Sequence, residues 1–164
     1  MFRFFAIMML VVGCDQLSKV WILQNFELYE STVIIPGLFN LTFLRNTGAA
    51  FGMFAGHAVW WRQLFFIGVA VIALVVILVM QRRLGRQNSL YTISLGFIGG
   101  GAIGNLIDRI LYGSVVDFLD VYIGSHHWPA FNVADSAICV GVGIFLFTQF
   151  SEDRQAKREQ KISS

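Results

Sequence analysis

Carboxylates carry the chemistry this sequence offers. Asp117 and Asp135 flank a turn-rich connection containing Gly124 and Pro129. Two carboxyl groups brought close together cannot both ionise easily, so one keeps a proton. Such a pair supplies an acid and a base from identical side chains. The charged carboxylate activates water, and the protonated one polarises a carbonyl and later protonates a leaving amine. Spacing alone leaves capping and ion pairing as the commoner duties of two such aspartates. Other signatures are missing: there is no Gly-x-Ser-x-Gly, His-Glu-x-x-His, P-loop or Cys-x-x-Cys. Ser18 and Lys19 are adjacent, which suits a Ser–Lys dyad poorly. His126 and His127 show no metal-ligand pattern, and with His57 they read as interfacial or solvent-facing.

The elements that must position these groups are membrane spans. The 164 residues make one domain, 56% apolar and only 13% charged, against about 25% charged in soluble domains. Residues 63–81, 87–107 and 136–151 carry no formal charge, and crossing the hydrocarbon takes about 20 helical residues. A further block starts at Phe2 and is interrupted by Asp15 and Lys19. The sequence thus predicts an all-α polytopic membrane protein, one domain over 1–164 with spans near 2–24, 58–81, 89–110 and 131–152. Residues 25–57 form an insertion, 111–130 a second loop and 153–164 a tail. Val11-Val12-Gly13-Cys14 looks like a lipoprotein cleavage box, but the apolar block continues past it and three more spans follow. Cys14 and Cys139 fall inside spans and read as buried, inert thiols.

Arg3, Arg82, Arg83, Arg86, Arg154, Lys157, Arg158 and Lys161 fall on one side of the four-span arrangement, which makes that side and both termini cytoplasmic. The net charge of +2 therefore reports topology, and nucleic acid is not implied. Trp21, Trp60, Trp61 and Trp128 all fall at the opposite, outer boundary. So do Asp15, Lys19, Asn46, Asn105, Asp108, Arg109, Asp117 and Asp135. Intramembrane charge is expensive, and the inner halves of the spans offer nothing comparable. That asymmetry speaks against an ion pathway and for a site at the outer surface. Asp15 and Lys19 share a helix face and can neutralise each other. Arg109 can snorkel outward while Asp108 caps or pairs. Gly96, Gly100 and Gly104 at spacing four make the third span a packing centre. Thr32 to Ile35, Pro36-Gly37 and Leu38 to Leu44 read as strand, turn, strand. The apolar face of the second strand could rest on lipid or cover a substrate. In an extended segment Asp117 and Asp120 point to opposite faces.

Five motifs, in order, resemble those of bacterial lipoprotein signal peptidases (signal peptidase II). They are Asp15-Gln16-Leu17-Ser18-Lys19, Arg45-Asn46-Thr47-Gly48-Ala49-Ala50-Phe51-Gly52, Gly104-Asn105-Leu106-Ile107-Asp108-Arg109, Val115-Val116-Asp117-Phe118 and Phe131-Asn132-Val133-Ala134-Asp135-Ser136. The resemblance implies a four-span inner-membrane aspartic endopeptidase with a small periplasmic β-cradle. The implied reaction is cleavage of prolipoproteins just before a diacylglyceryl-modified cysteine. Asp117 and Asp135 match the catalytic pair. Asp15, Lys19, Asn46, Gly48, Asn105, Asp108, Arg109, Asn132, Ala134 and Ser136 match substrate-binding or supporting positions. The resemblance implies no metal or cofactor. It implies prolipoprotein and membrane lipid as partners, globomycin as inhibitor, and a monomer.

Overall fold

The computed structural model describes residues 1–48 and 60–163. Ala49 to Gly52 of the second motif, His57 and the first two residues of the expected second span lie outside them. The described elements are α1 (Phe2–Asn25), β1 (Ser31–Ile35), β2 (Phe39–Asn46), α2 (Trp60–Leu84), α3 (Ser89–Tyr112), β3 (Val115–Ile123), β4 (His126–His127) and α4 (Val133–Ser163). All four helices are long and apolar enough to cross a membrane. α4 continues beyond the expected end of its span, through a tail of strong helix formers. The helix ends follow local chemistry. Asn88 caps α3 by accepting the Leu90 N–H (2.9 Å). Gly113 closes the same helix in the left-handed conformation, φ 70°, and donates to Arg109 O.

α3 contacts α1, α2 and α4. Its glycines make that possible. A Cβ at Gly100 would lie 2.7 Å from Val11 Cβ and 2.8 Å from Met8 O, and one at Gly104 would run into Asp15. Gly101 does the same for α4, with Ala134 O and Ile138 against it. α2 is apolar on its outward surface: Leu64, Phe65, Val69, Ile72 and Val75 face away from the protein, while Arg62 and Gln81 are buried. Such inversion fits a helix solvated by lipid. Cys14 and Cys139 follow the same logic. Both are exposed, contrary to the expectation of buried thiols, because in a bilayer an apolar side chain gains nothing by facing inward.

The two loops build one antiparallel sheet in the order β1-β2-β3-β4. The expected turn forms at Pro36-Gly37, with Gly37 at φ 78° and Leu38 N–H donating to Ile35 O (3.1 Å). The second loop is mostly strand: β3 pairs along β2, with Leu44 opposite Asp117 and Asn46 opposite Val115. The apolar face of β2 covers protein, because Leu41 and Phe43 pack with Ile22, Phe26, Val116, Phe118 and Val133. The sheet therefore sits on the end of α1. At the other end of the bundle Phe4, Met8, Ile77, Tyr91 and Leu95 form a second core. That end also carries a polar network that no motif announced. Gln81 Nε2 donates to Thr92 Oγ1 (3.0 Å), while the Tyr91 hydroxyl (2.8 Å) and the Asn88 amide (3.0 Å) both donate to Glu152.

The close approach of α1 to α3 makes a prediction. Gly100→Leu should destabilise the protein by about 1–3 kcal/mol through overpacking, visible as a lower melting temperature in detergent. Gly143→Leu, whose Cβ meets nothing within 4 Å, should leave the melt unchanged. Equal losses would contradict the packing assignment.

Candidate active site

Lys19 is fully buried, and its ammonium has three partners. It pairs with Asp15 Oδ2 (2.8 Å) on its own helix and Asp108 Oδ2 (2.9 Å) on α3, and donates to Asn105 Oδ1 (3.0 Å). The expected Asp15–Lys19 pair thus forms, and Asp108 joins it. Each carboxylate also holds backbone. Asp15 Oδ1 accepts the Ala134 N–H (2.8 Å) in the first turn of α4, and Asp108 Oδ2 accepts the Val116 N–H (3.0 Å) in β3. One cation with two carboxylates therefore clamps α1, α3, α4 and the sheet. Gln16 Nε2 reinforces the clamp through Asp108 Oδ1 (3.0 Å).

Asn105 and Asn132 connect this cluster to Asp117 and Asp135. Asn105 Nδ2 donates to Asp135 Oδ1 (2.8 Å). Asn132, completely buried just before α4, is the hub. Its Nδ2 donates to Asp117 Oδ1 (2.8 Å) and Asn105 Oδ1 (3.2 Å), and its Oδ1 accepts the Asp135 N–H (2.9 Å). Asp135 Oδ2 in turn accepts the Asn132 N–H (3.3 Å). That exchange between a helix cap and the third helical residue is a capping box, and Ser136 Oγ donates to Asn132 O (2.9 Å) beside it. Asp135 therefore does cap, as the spacing alone suggested, and one carboxylate oxygen also receives the Asn105 amide. Phe131 pairs with Leu119 through two backbone hydrogen bonds (2.8 and 3.1 Å), which sets Asn132 beside Asp117.

Asp117 is buried in β3, and its Oδ2 accepts Asn46 Nδ2 (3.0 Å) from β2. Asn46 Oδ1 accepts the Gly48 N–H (3.0 Å). Burial, and after it the charge of Asp135, push the Asp117 carboxyl up to about 7, against the opposing pull of Asn46, Asn132 and Lys19. Asp117 and Asp135 share a cavity of about 670 Å³ with Asn46, Gly48, Asn105 and Arg109. Arg109 turns into this cavity rather than snorkelling. Its guanidinium lies 5.1 Å from the Phe66 ring and donates to Asn105 O (3.2 Å) and Gly48 O (3.4 Å). Ala134 is buried and serves through its backbone. Asp120 points to the other face of β3, as strand alternation requires, and meets Asn40 Nδ2 (2.9 Å) and His127 Nδ1 (2.9 Å) in a separate cavity of about 450 Å³. Among the described residues no group of three His, Cys, Asp or Glu side chains could hold a metal.

The sequence reading brings the Asp pair and its polar support to one place, but it missed two residues there. Gln16 stands inside the first motif but was given no role there, and it binds Asp108. Tyr29 lines the cavity and carried no signal at all.

Comparison with known proteins bears out the motif resemblance. Residues 7–151 match the family described as signal peptidase (SPase) II. The lipoprotein signal peptidase of Geobacter metallireducens is 43% identical over 159 residues, covering 96% of this chain and 97% of the relative. That of Geobacter sulfurreducens is 50% identical over 141 residues, covering 86% and 87%. A bacterial membrane enzyme structure obtained by the in meso method at 2.3 Å resolution superposes with a TM-score of 0.81 at 32% identity, covering 90% of this chain and 87% of its own. The chain belongs to the signal peptidase II family.

Proposed function

We propose that this protein is an intramembrane aspartic endopeptidase that removes signal peptides from diacylglyceryl-modified prolipoproteins, cutting just before the lipidated cysteine. Family membership supports signal-peptide removal. The observation that carries the aspartic mechanism is the shared Asn132 contact, which ties Asp117 and Asp135 into one cavity. Burial and the charge of Asp135 push Asp117 up to about 7, so the pair holds one proton between them; in the step that follows Asp117 carries it and Asp135 is the ionised base. Asp135 takes a proton from water as its oxygen attacks the scissile carbonyl carbon. Asp117 passes its proton to the carbonyl oxygen, giving a tetrahedral gem-diol. Collapse breaks the C–N bond, and Asp135 returns its proton to the leaving nitrogen. A diol proton restores Asp117. The products are the signal peptide's new carboxyl end and the free amine of the modified cysteine. No metal or organic cofactor takes part.

Asn46, Gly48, Arg109 and Ser136 border the cavity and serve to hold substrate backbone and the lipid's ester groups. Asp15, Lys19, Asn105, Asp108, Asn132 and Ala134 hold the pair in place. The enzyme sits as a monomer in the inner membrane, with both termini cytoplasmic and the sheet at the periplasmic surface. Exposed Trp21, Trp60, Trp61 and Trp128 support that boundary. A lipidated substrate leaves the bilayer only at about 0.8 kcal/mol per buried methylene, so catalysis at the interface is where it can be met. Globomycin competes for the same cavity.

Asp117→Asn and Asp135→Asn should each fold and insert normally and lose about 10²–10⁴-fold in activity. The test is gel-shift processing of a purified diacylglyceryl-modified precursor; appreciable turnover by either variant contradicts the pair. Wild type should leave the unmodified precursor uncut, and globomycin should block the shift.

The pH profile makes a second prediction. With Asp117 pushed up to about 7, the pair's proton is held below that pH and lost as pH rises through it. The alkaline limb of kcat/KM should therefore fall with a midpoint near 7, as a property of the pair. A flat profile from about pH 6 to 9 would rule out the shared proton.

A further inference from the structure

We propose that Tyr29 is a specificity-determining residue, its ring contacting the substrate residues that follow the scissile bond. The inference rests on the peptidase reading above. Tyr29 is the one non-glycine residue at positive φ (71°) among the described residues, a conformation that costs any residue with a Cβ. The backbone around it is held from several directions. Tyr29 N–H donates to Phe43 O (2.8 Å), Phe43 N–H to Glu30 O (3.0 Å) and Glu30 N–H to Glu27 O (2.9 Å). Glu27 N–H donates to Glu30 Oε2 (2.7 Å), and Thr42 Oγ1 to Glu30 O (3.0 Å). Glycine or asparagine would satisfy this turn with less strain.

The tyrosine ring does little for the core either, since the residue is 75% exposed. The residue instead lines the cavity that holds Asp117 and Asp135. That cavity has two distinct ends. Ile138 and Cys139 lie on α4 beyond Asp135, about 4.5–6 Å further along the helix, on the side of the spans. Tyr29 and Trp128 stand at the sheet end. An apolar signal segment stays among the spans, so the chain beyond the cut must leave over the sheet, past Tyr29. A rigid aromatic ring suits such a passing peptide, because it offers contact area with little rotamer entropy to lose.

The test compares two synthetic diacylglyceryl-modified precursors, one with several residues after the cysteine and one ending directly after it. Tyr29→Gly should melt no lower than wild type, lose about three- to tenfold in kcat/KM on the long precursor and lose nothing on the short one. Tyr29→Asn, also at home at positive φ, should repeat that pattern, and Tyr29→Phe should retain wild-type rates. Wild-type cleavage of the long precursor by Tyr29→Gly and Tyr29→Asn would overturn the assignment, as would equal losses on both precursors. Failure of wild type to cleave either precursor would overturn the peptidase reading and this inference with it.

Discussion

The rest of the structure depends on one buried ammonium. Lys19 sits between Asp15 and Asp108 with almost no solvent contact. Burying three charges is no route to stability, since desolvation consumes most of the attraction. What the cluster supplies is register. Each carboxylate spends an oxygen on the ammonium and another bond on a backbone N–H, Ala134 in α4 or Val116 in β3. Removing one partner would leave a buried charge uncompensated, a loss of about 3–5 kcal/mol. The helices and the sheet therefore meet in one arrangement.

The same ammonium sets the chemistry of the next layer. Lysine only donates hydrogen bonds. The atom of Asn105 that faces it must be the oxygen, and the Asn105 amide nitrogen must then face Asp135. Asn132 follows the same logic, with its nitrogen on Asp117 and its oxygen on the α4 backbone. Two asparagines, oriented by a charge that never reaches the cavity, thus aim their donors at two acids. Close approach of α1 and α3 is a precondition, because Gly104 lies directly against Asp15.

Much of this was legible in the sequence. Charge-free runs marked the spans, Pro36-Gly37 marked a turn, and the glycine spacing marked the central helix. The depth at which Asp, Asn and Arg cluster matches their gathering around one cavity. What stayed hidden has physical causes. β3 is buried on both faces over Val115 to Phe118, so it lacks the alternation that reveals a half-buried strand, and its partner β2 lies far away in the sequence, Asn46 opposite Val115 and Phe39 opposite Val121. The capping box at Asn132 and Asp135 was present as a spacing, but one residue pair cannot announce that the same asparagine also binds Asp117. Tyr29 was invisible because no local rule places tyrosine at positive φ. The cysteines were misplaced because inward-facing and outward-facing apolar residues look alike in a span.

The central claim is that Lys19 acts on the aspartate pair through Asn105. A double-mutant cycle on kcat/KM, with Lys19→Met, Asn105→Ala and the two combined, tests it most directly. Each single change should slow processing of the lipidated precursor, and the combination should cost clearly less than the product of the two single losses, with a coupling of about 1–3 kcal/mol. Losses that simply multiply would show that the lysine and the amide act independently, and would contradict the account.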